Sequence, residues 1–381
     1  MVWLLIIIFA CYFALLGLLI FGWNRLVRKK SAHAGNRGLF VSVIIPARNE
    51  GSNIAQLLAD LENQAYNGFE VIVVDDHSED DTVRIVEGFK ERNSRFSILT
   101  NSGVGKKAAL TLGVQSSKGS VVITTDADCR VSSQWISTLV GSFSNDDVKM
   151  VIGCVAMKAN TLFSNLQALE FASLIGSGMS MASWKFPVMC NGANMAYRKS
   201  VFEEVGGYQG NLHIPSGDDE FLMRRVLNAY PNGIQPSSAR QSVVTTLPNR
   251  TFKELFQQRI RWAGKWTANY SFVSRVLTVF IFCFQLTTVL VPIFLTIRWI
   301  DIQTGLFLVL TKAILELLFL KNVARHLSLK WSWVSFFILQ LIYPGYVVTI
   351  GLLSNFNSFE WKGRKLKSLT VSDKLNKEFL G

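Results

Sequence analysis

Residues 2–23 carry no charged side chain. As a helix rising 1.5 Å per residue, such a run is long enough to cross the roughly 30 Å hydrocarbon core of a bilayer. A backbone in lipid must satisfy its own hydrogen bonds, so the run is expected to be an uninterrupted helix. A cleaved signal peptide is the competing reading. It fits less well, because no basic residue precedes the run, the run is too long, and no clear small-x-small site follows. Arg25, Arg28, Lys29 and Lys30 come next. The positive-inside rule then puts the N-terminus outside and the following domain in the cytoplasm.

Apolar character returns at the other end. Residues 276–297 and 331–353 are uncharged, and 302–320 contain only Lys312 and Glu316, four apart on one helical face and able to pair. Three such segments before a basic tail (354–381, with Lys362, Arg364, Lys365 and Lys367) raise a parity problem. Three full crossings would carry the tail outside, whereas its charge belongs in the cytoplasm. A break at Pro344-Gly345, turning the last segment into a re-entrant hairpin, is the expected escape.

These spans explain a hydrophobic content of 49%, high for a soluble enzyme. The net charge of +12 lies largely beside them, which points to anionic lipid headgroups and away from nucleic acid. Five scattered cysteines (Cys11, Cys129, Cys154, Cys190, Cys283) with no CxxC spacing argue against a disulfide framework and against a zinc site.

Between the spans the pattern changes. Short apolar runs at 41–45, 71–74, 96–99 and 121–124 alternate with amphipathic stretches at 53–62 and 82–89, as in βα units on a mainly parallel sheet. Ser52 and Asp81 stand where helix N-caps are expected. In open sheets of this kind ligands bind beyond the carboxyl ends of the strands. Asp75-Asp76 and Asp126-x-Asp128 fall at two such ends and can face one cleft.

Each constellation has a chemical reading and a plain one. Asp126 and Asp128 can hold a hard divalent cation against a diphosphate, with carboxylate and phosphate oxygens sharing the octahedron; acids at strand ends are also ordinary loop residues. Asp75 and Asp76 can accept from a nucleobase or a ribose, or simply shape a turn. His77, beside two acids, is a poor catalytic candidate. Gly103-Val104-Gly105-Lys106-Lys107 is not a P-loop, since no glycine stands at Thr100 and no Ser or Thr follows the lysines. It can still present Lys106 or Lys107 to phosphate. Asp218-Asp219-Glu220 opens an amphipathic helix, where acids complement the helix dipole or supply a general base. Gln258, Arg261 and Trp262 share a helix beginning at Thr251. Arg binds phosphate in a fork and Trp stacks on a sugar, though an interfacial helix would also favour both.

Taken in order, these segments resemble the inverting family 2 glycosyltransferases of GT-A fold, which include cellulose, chitin and hyaluronan synthases and lipid glucosyltransferases. Val43-Ile44-Ile45-Pro46-Ala47-Arg48-Asn49-Glu50 is similar to the family's opening strand and nucleotide-binding loop, which implies nucleotide contacts at Pro46, Arg48 and Glu50. Val73-Val74-Asp75-Asp76-His77-Ser78 matches VDDxS, which implies base and ribose contacts. Asp126 and Asp128 match DxD, with Asp128 ahead of Asp126 as the direct metal ligand. Gly192-Ala193-Asn194-Met195-Ala196-Tyr197-Arg198 resembles the glycine-rich wall before the acceptor site. Asp218-Asp219 stands at the family's ED pair, with Leu222 and Arg225 at the matching later positions. Asp replaces Glu there but leaves the second acid in place, so Asp219 is assigned as the base. Gln258, Arg261 and Trp262 match QxxRW. Trp361-Lys362-Gly363-Arg364 resembles a segment following the last span in bacterial members, expected on the cytoplasmic side.

The expectation is therefore an α/β GT-A domain at 41–270 between an anchor at 2–23 and a membrane region at 276–353. The resemblance implies a hexosyltransferase of the inner membrane with its catalytic domain in the cytoplasm. It would use Mg²⁺ or Mn²⁺ to move a sugar from a nucleotide diphosphate, UDP-linked, to a lipid or lipid-linked acceptor. Asp126 and Lys106 would touch the nucleotide, and Asp218, Gln258, Arg261 and Trp262 the diphosphate or acceptor. Two readings compete: a small processive polysaccharide synthase, and a non-catalytic protein that binds lipid or a membrane partner.

Overall fold

A computed structural model describes residues 2–29, 38–210, 217–264 and 272–354, with the backbone alone at 359–361 and 364–366. Lys30, Lys362, Gly363 and Lys367 lie outside the described residues, as does the end of the expected domain at 265–270. The chain forms two compact units. One comprises residues 22–158 and 174–247, the other 1–21, 159–173 and 248–381. Two long helices, α1 (Val2–Arg28) and α6 (Leu162–Ser183), contribute a segment to each.

The first unit contains the alternation read from the sequence. Strand β1 (Val41–Ala47) is followed by α2 (Ile54–Glu62), β2 (Phe69–Asp75), α3 (Thr82–Arg92), β3 (Phe96–Thr100), α4 (Lys106–Ser116) and β4 (Val121–Thr124). Then come α5 (Trp135–Gly141), β5 (Met150–Gly153), β6 (Val155–Met157), β7 (Met195–Arg198), α7 (Lys199–Glu204), α8 (Asp218–Ala229), β8 (Ile234–Ser237) and β9 (Val244–Thr246). The main sheet has the order β3-β2-β1-β4-β7-β5-β8, and β6 pairs with β9 separately. Strands β1 to β4 are parallel, with Ala47 opposite Asp75 and Ile44 opposite Thr124, while β7 runs antiparallel to both neighbours. Val43, Ile44, Ile45, Val71, Val73 and Val74 are fully buried, as expected of parallel strands covered on both faces. Gly113 of α4 lets that helix close on β1, since a Cβ there would lie 2.5 Å from Ile44 Cγ2.

Of the two cap expectations, Ser52 is corrected and Asp81 holds in position, without a side-chain capping bond. Helix α2 begins one residue later than Ser52 allows. Asn53 occupies its N-cap because Asn53 and Ile54 both donate to the Glu50 carbonyl in a tight turn. Asp81 does sit at the N-cap of α3, but its carboxylate pairs with Arg84 at 3.0 Å. Asp80 instead accepts from the Thr82 amide at 3.0 Å.

The second unit holds α9 (Phe252–Ala263), α10 (Phe272–Thr296), α11 (Ile302–His326) and α12 (Trp333–Leu353), then a short hairpin of β10 (Phe359–Trp361) and β11 (Arg364–Leu366). Thr251 caps α9 by accepting from the Glu254 amide, and Glu254 reaches back to the Arg250 amide. Among the described residues, α1, α10 and α12 are long and apolar enough to cross a membrane. Helix α11 is inverted relative to a water-facing helix. Ile302, Leu306, Leu310, Ile314 and Leu318 form an exposed apolar stripe, while Lys312 is buried. Lys312 meets Glu316 at 2.9 Å, as its spacing predicts, and both bond to Gln340 of α12. Tyr12 of α1 closes the group by donating to Glu316 at 2.6 Å.

The re-entrant break expected at Pro344-Gly345 does not occur. Helix α12 continues through Pro344, as membrane helices can where neighbouring groups re-satisfy the backbone. Its last turns lie against α9: Tyr346 packs edge-on to Phe256, and a Cβ on Gly264 would approach the Ser354 carbonyl at 3.9 Å.

Candidate active site

The sheet order separates β2 from β4 by one strand, so Asp75-Asp76 and Asp126-x-Asp128 stand roughly 10 Å apart, two strand spacings, at neighbouring carboxyl ends. The loops there are tied to one another. Arg48, just past β1, donates through Nη1 to the carbonyls of Asp76 at 2.8 Å and His77 at 2.7 Å. The Glu50 amide donates to Thr82 Oγ1 at 2.8 Å, and Pro46 ends the buried run of β1, half-buried opposite Val74. Asp75 is buried and accepts weakly from the Ser78 amide at 3.2 Å. His77 adopts a positive φ of 60° and its Nε2 lies 3.1 Å from the Gly103 carbonyl, so it shapes the loop.

Asp76 has a task that sequence reasoning did not assign. Its Oδ1 accepts from Asn101 Nδ2 at 2.7 Å and from the Gly105 amide at 2.9 Å. Gly105 has φ 93°, a conformation suited to glycine, and it is the residue before α4. The buried Asp76 carboxylate thus fixes the turn that launches Lys106. Asn101, almost fully buried, was missed for want of any pattern around it.

The structure also separates the two lysines. Lys107 is buried with its ammonium 4.6 Å from the centre of the Phe221 ring. Lys106 goes to the acids: its Nζ is 2.6 Å from Asp126 Oδ1 and 3.4 Å from Asp218 Oδ2. Burial works against its charge. The carboxylates of Asp126, Asp218 and Asp219 more than offset this and hold its pKa above the ordinary lysine value.

Asp218 and Asp219 occupy the first turn of α8, where the helix dipole favours anions. Asp219 is oriented by two amides, Glu220 N to Oδ1 at 2.8 Å and Gly192 N to Oδ2 at 3.3 Å. Gly192 in turn accepts from Thr124 Oγ1 at 2.9 Å, so the glycine-rich segment ties the end of β4 to the start of α8. Asn194, two residues on, is fully buried. It donates to the carbonyls of Cys154 and Ser242, both at 2.7 Å, and accepts from Trp135 Nε1 at 3.1 Å. The supposed wall is thus built on a polar hub.

Asp128 accepts from Thr246 Oγ1 at 3.3 Å and lies 3.7 Å from the Cys129 thiol. Among the described residues no three His, Cys, Asp or Glu side chains gather as a metal cage. The donor set is two carboxylates, with an ammonium already against one of them. That suits a hard cation such as Mg²⁺ or Mn²⁺, which takes one or two protein carboxylates and completes its shell with phosphate oxygens and water. Asp126 and Asp128 therefore fit the group that the resemblance implies.

Gln258, Arg261 and Trp262 belong to the second unit, on α9. There the buried charged side chain is Arg259, between the motif letters. It pairs with Glu170 of α6 at 3.0 Å (Nε–Oε1) and 2.5 Å (Nη2–Oε2), donates to Gln258 Oε1, and lies 4.3 Å from the centre of the Trp262 ring. Gln258 also accepts from Asn249, and Trp262 meets Phe171. Gln258 and Trp262 thus sheathe Arg259. Its one sequence signal is that Glu170 is the sole charged residue of α6.

Comparison with known proteins adds the following. Residues 42–206 match Glycosyl transferase family 2. Glycosyltransferase AglE of Haloferax volcanii is 30% identical over 234 residues, covering 58% of this chain and 71% of that protein. Poly-beta-1,6-N-acetyl-D-glucosamine synthase of Staphylococcus epidermidis is 24% identical over 308 residues, covering 78% of this chain and 72% of that one. The mannosyltransferase PcManGT from Pyrobaculum calidifontis, solved with GDP-Man and Mn²⁺, superimposes with a TM-score of 0.52 at 19% identity, over 92% of this chain and 95% of that one. This last likeness speaks to the fold, which is GT-A.

Proposed function

Because this chain belongs to glycosyl transferase family 2, we propose that it moves one sugar, with inversion, from a UDP-linked donor to the hydroxyl of a lipid or lipid-linked acceptor at the membrane. One observation carries the reading. Asp126 and Asp218 converge on Lys106 Nζ beside an Asp219 carboxylate oriented by two amides. The loops holding Pro46, Arg48, Glu50, Asp75 and Asp76 would receive the nucleoside. Asp219 takes the acceptor proton, the freed oxygen attacks the anomeric carbon, and the bond to the diphosphate breaks with its electron pair leaving on the phosphate. A single displacement inverts the centre. Asp126 and Asp128 would hold Mg²⁺ or Mn²⁺, which when bound neutralises charge on the leaving diphosphate. Lys106 stabilises the same charge. The part given to Gln258, Arg261 and Trp262 rests on their motif alone.

The lipid acceptor is supported by the membrane helices. Tyr12, Lys312, Glu316 and Gln340 bond to one another, which suits a closed bundle better than a sugar-lined conduit. A processive synthase is the second reading, favoured by the long match to the Staphylococcus epidermidis enzyme. Arg25 and Arg28 in the last turn of α1 support a first unit on the cytoplasmic face of the cell membrane.

The test is transfer by the purified protein in lipid, with Mn²⁺ and a panel of labelled nucleotide sugars. Label in a lipid of single-sugar size is expected, and Asp219→Asn should keep UDP binding while losing transfer. Label in long chains would install the synthase reading. Full transfer by Asp219→Asn would refute the assignment of the base.

A further inference from the structure

The contact between Lys106 and Asp126 has a consequence for how the site fills. We propose that Lys106 is a resident counter-cation at the Asp126–Asp128 site, displaced only when the donor's diphosphate arrives, so that divalent cation and nucleotide bind as a coupled pair. The inference deepens the proposed function and rests on its assignment of the cation to Asp126 and Asp128.

Three observations support it. The first is placement: Nζ sits 2.6 Å from Asp126 Oδ1, within direct ion-pair distance of an oxygen a metal would need. The second is anchorage. Lys106 is the first residue of α4, and its turn is pinned by Asp76 through the Gly105 amide and Asn101, so the lysine returns to the same place whenever the site is vacated. The third is an alternative partner. Asp218 Oδ2 lies 3.4 Å from Nζ, so the ammonium can leave Asp126 by a small swing and stay paired. Gly192 makes that approach feasible, because a Cβ there would stand 2.9 Å from Asp218 Oδ2 and 3.4 Å from Lys106 Nζ.

The electrostatics set the direction. A divalent cation on Asp126 would face the ammonium at close range, and like charges that near repel strongly. Asp126 and Asp218 both reach the ammonium and Asp219 stands beside them, so removing Lys106 would leave their charge uncompensated and open to another cation. With Lys106 in place the cation is disfavoured until a diphosphate supplies negative charge for both. Coupling of this kind is reciprocal: UDP tightens Mn²⁺ by the factor by which Mn²⁺ tightens UDP.

The experiment measures Mn²⁺ alone binding to the full chain in lipid nanodiscs, by loss of the free-ion paramagnetic resonance signal, with and without UDP. The native protein should bind Mn²⁺ weakly, and saturating UDP should tighten it at least tenfold. Lys106→Gln, checked for folding by thermal melting, should bind Mn²⁺ at least tenfold tighter than the native protein without UDP, and UDP should then add little. Equal Mn²⁺ affinity in the two proteins without nucleotide would overturn the proposal. So would native affinity that UDP leaves unchanged, a result needing no variant. Asp126→Asn and Asp128→Asn separate the two failures. If they abolish UDP-supported Mn²⁺ binding while Lys106→Gln changes nothing, the metal site stands and the counter-cation falls. If they leave it intact, both fall.

Discussion

Asn194 and Gly153 make a sharp test of the polar hub under the glycine-rich segment. Asn194→Ala removes two donors and one acceptor from a fully buried position. The losses are unequal. The Cys154 carbonyl keeps a second partner in the Val244 amide, whereas the described partner of Trp135 Nε1 is Asn194 itself. At about 1–3 kcal/mol for each buried group left unsatisfied, the variant should lose roughly 2–5 kcal/mol. Gly153→Ala attacks the same spot from the other side. Its Cβ would stand 2.3 Å from Asn194 Nδ2, an overpacking worth about 1–3 kcal/mol. In the double variant the clash disappears, because the amide it strikes has gone. Its loss should therefore fall short of the sum of the two singles by at least about 1 kcal/mol. Tryptophan-fluorescence melting in detergent at one scan rate reads this out. A drop on the order of 10 °C is expected for Asn194→Ala, taking roughly 2–4 °C per kcal/mol for a unit of this size. Melting of Asn194→Ala within about 1 °C of the native protein, or strict additivity in the double variant, would refute the reasoning.

Other outcomes follow from single contacts. Glu170→Ala strands the buried Arg259 charge and should cost about 3–5 kcal/mol, while Glu170→Leu with Arg259→Met should recover most of the melting temperature. Burial pushes the Cys154 thiol up to about 12, from an ordinary 9.0. In native protein at pH 8, mass spectrometry should find alkylation at Cys190, which is partly exposed, and not at the fully buried Cys154. Since the folded pKa is the higher, this thiol's contribution to stability is fully present below pH 9. It should weaken by about 1.4 kcal/mol per unit as pH rises from there toward 12. A reporter fused after residue 381 should be active on the cytoplasmic side, because α12 ends beside α9, the helix that precedes α10. Activity outside the cell would show that all three C-terminal helices cross.

What could be read in advance depended on how local the cause was. The strands β1 to β4 were legible because burial on both faces leaves near-continuous apolar runs. Asp75-Asp76 and Asp126-x-Asp128 were legible because each pair sits where such a run stops. Lys106 could not be told from Lys107 by sequence, since what separates them is three-dimensional: a Phe221 ring under one and acids 20 and 112 positions further along the chain around the other. Arg259 was hidden for a related reason, its partner being 89 residues away on another helix.

The parity problem had the same origin. It treated each apolar segment as a crossing and looked for a break at a proline, yet α12 tolerates Pro344. The segment that differs is α11, the one with Lys312 and Glu316, whose polar face bonds to Tyr12 and Gln340 while its other face is an exposed apolar stripe. Two crossings, by α10 and α12 alone, would return the chain to the side from which α10 left, and the reporter distinguishes this from three. The charge pair that looked like a detail of one helix is then what sets α11 apart from the three apolar helices around it.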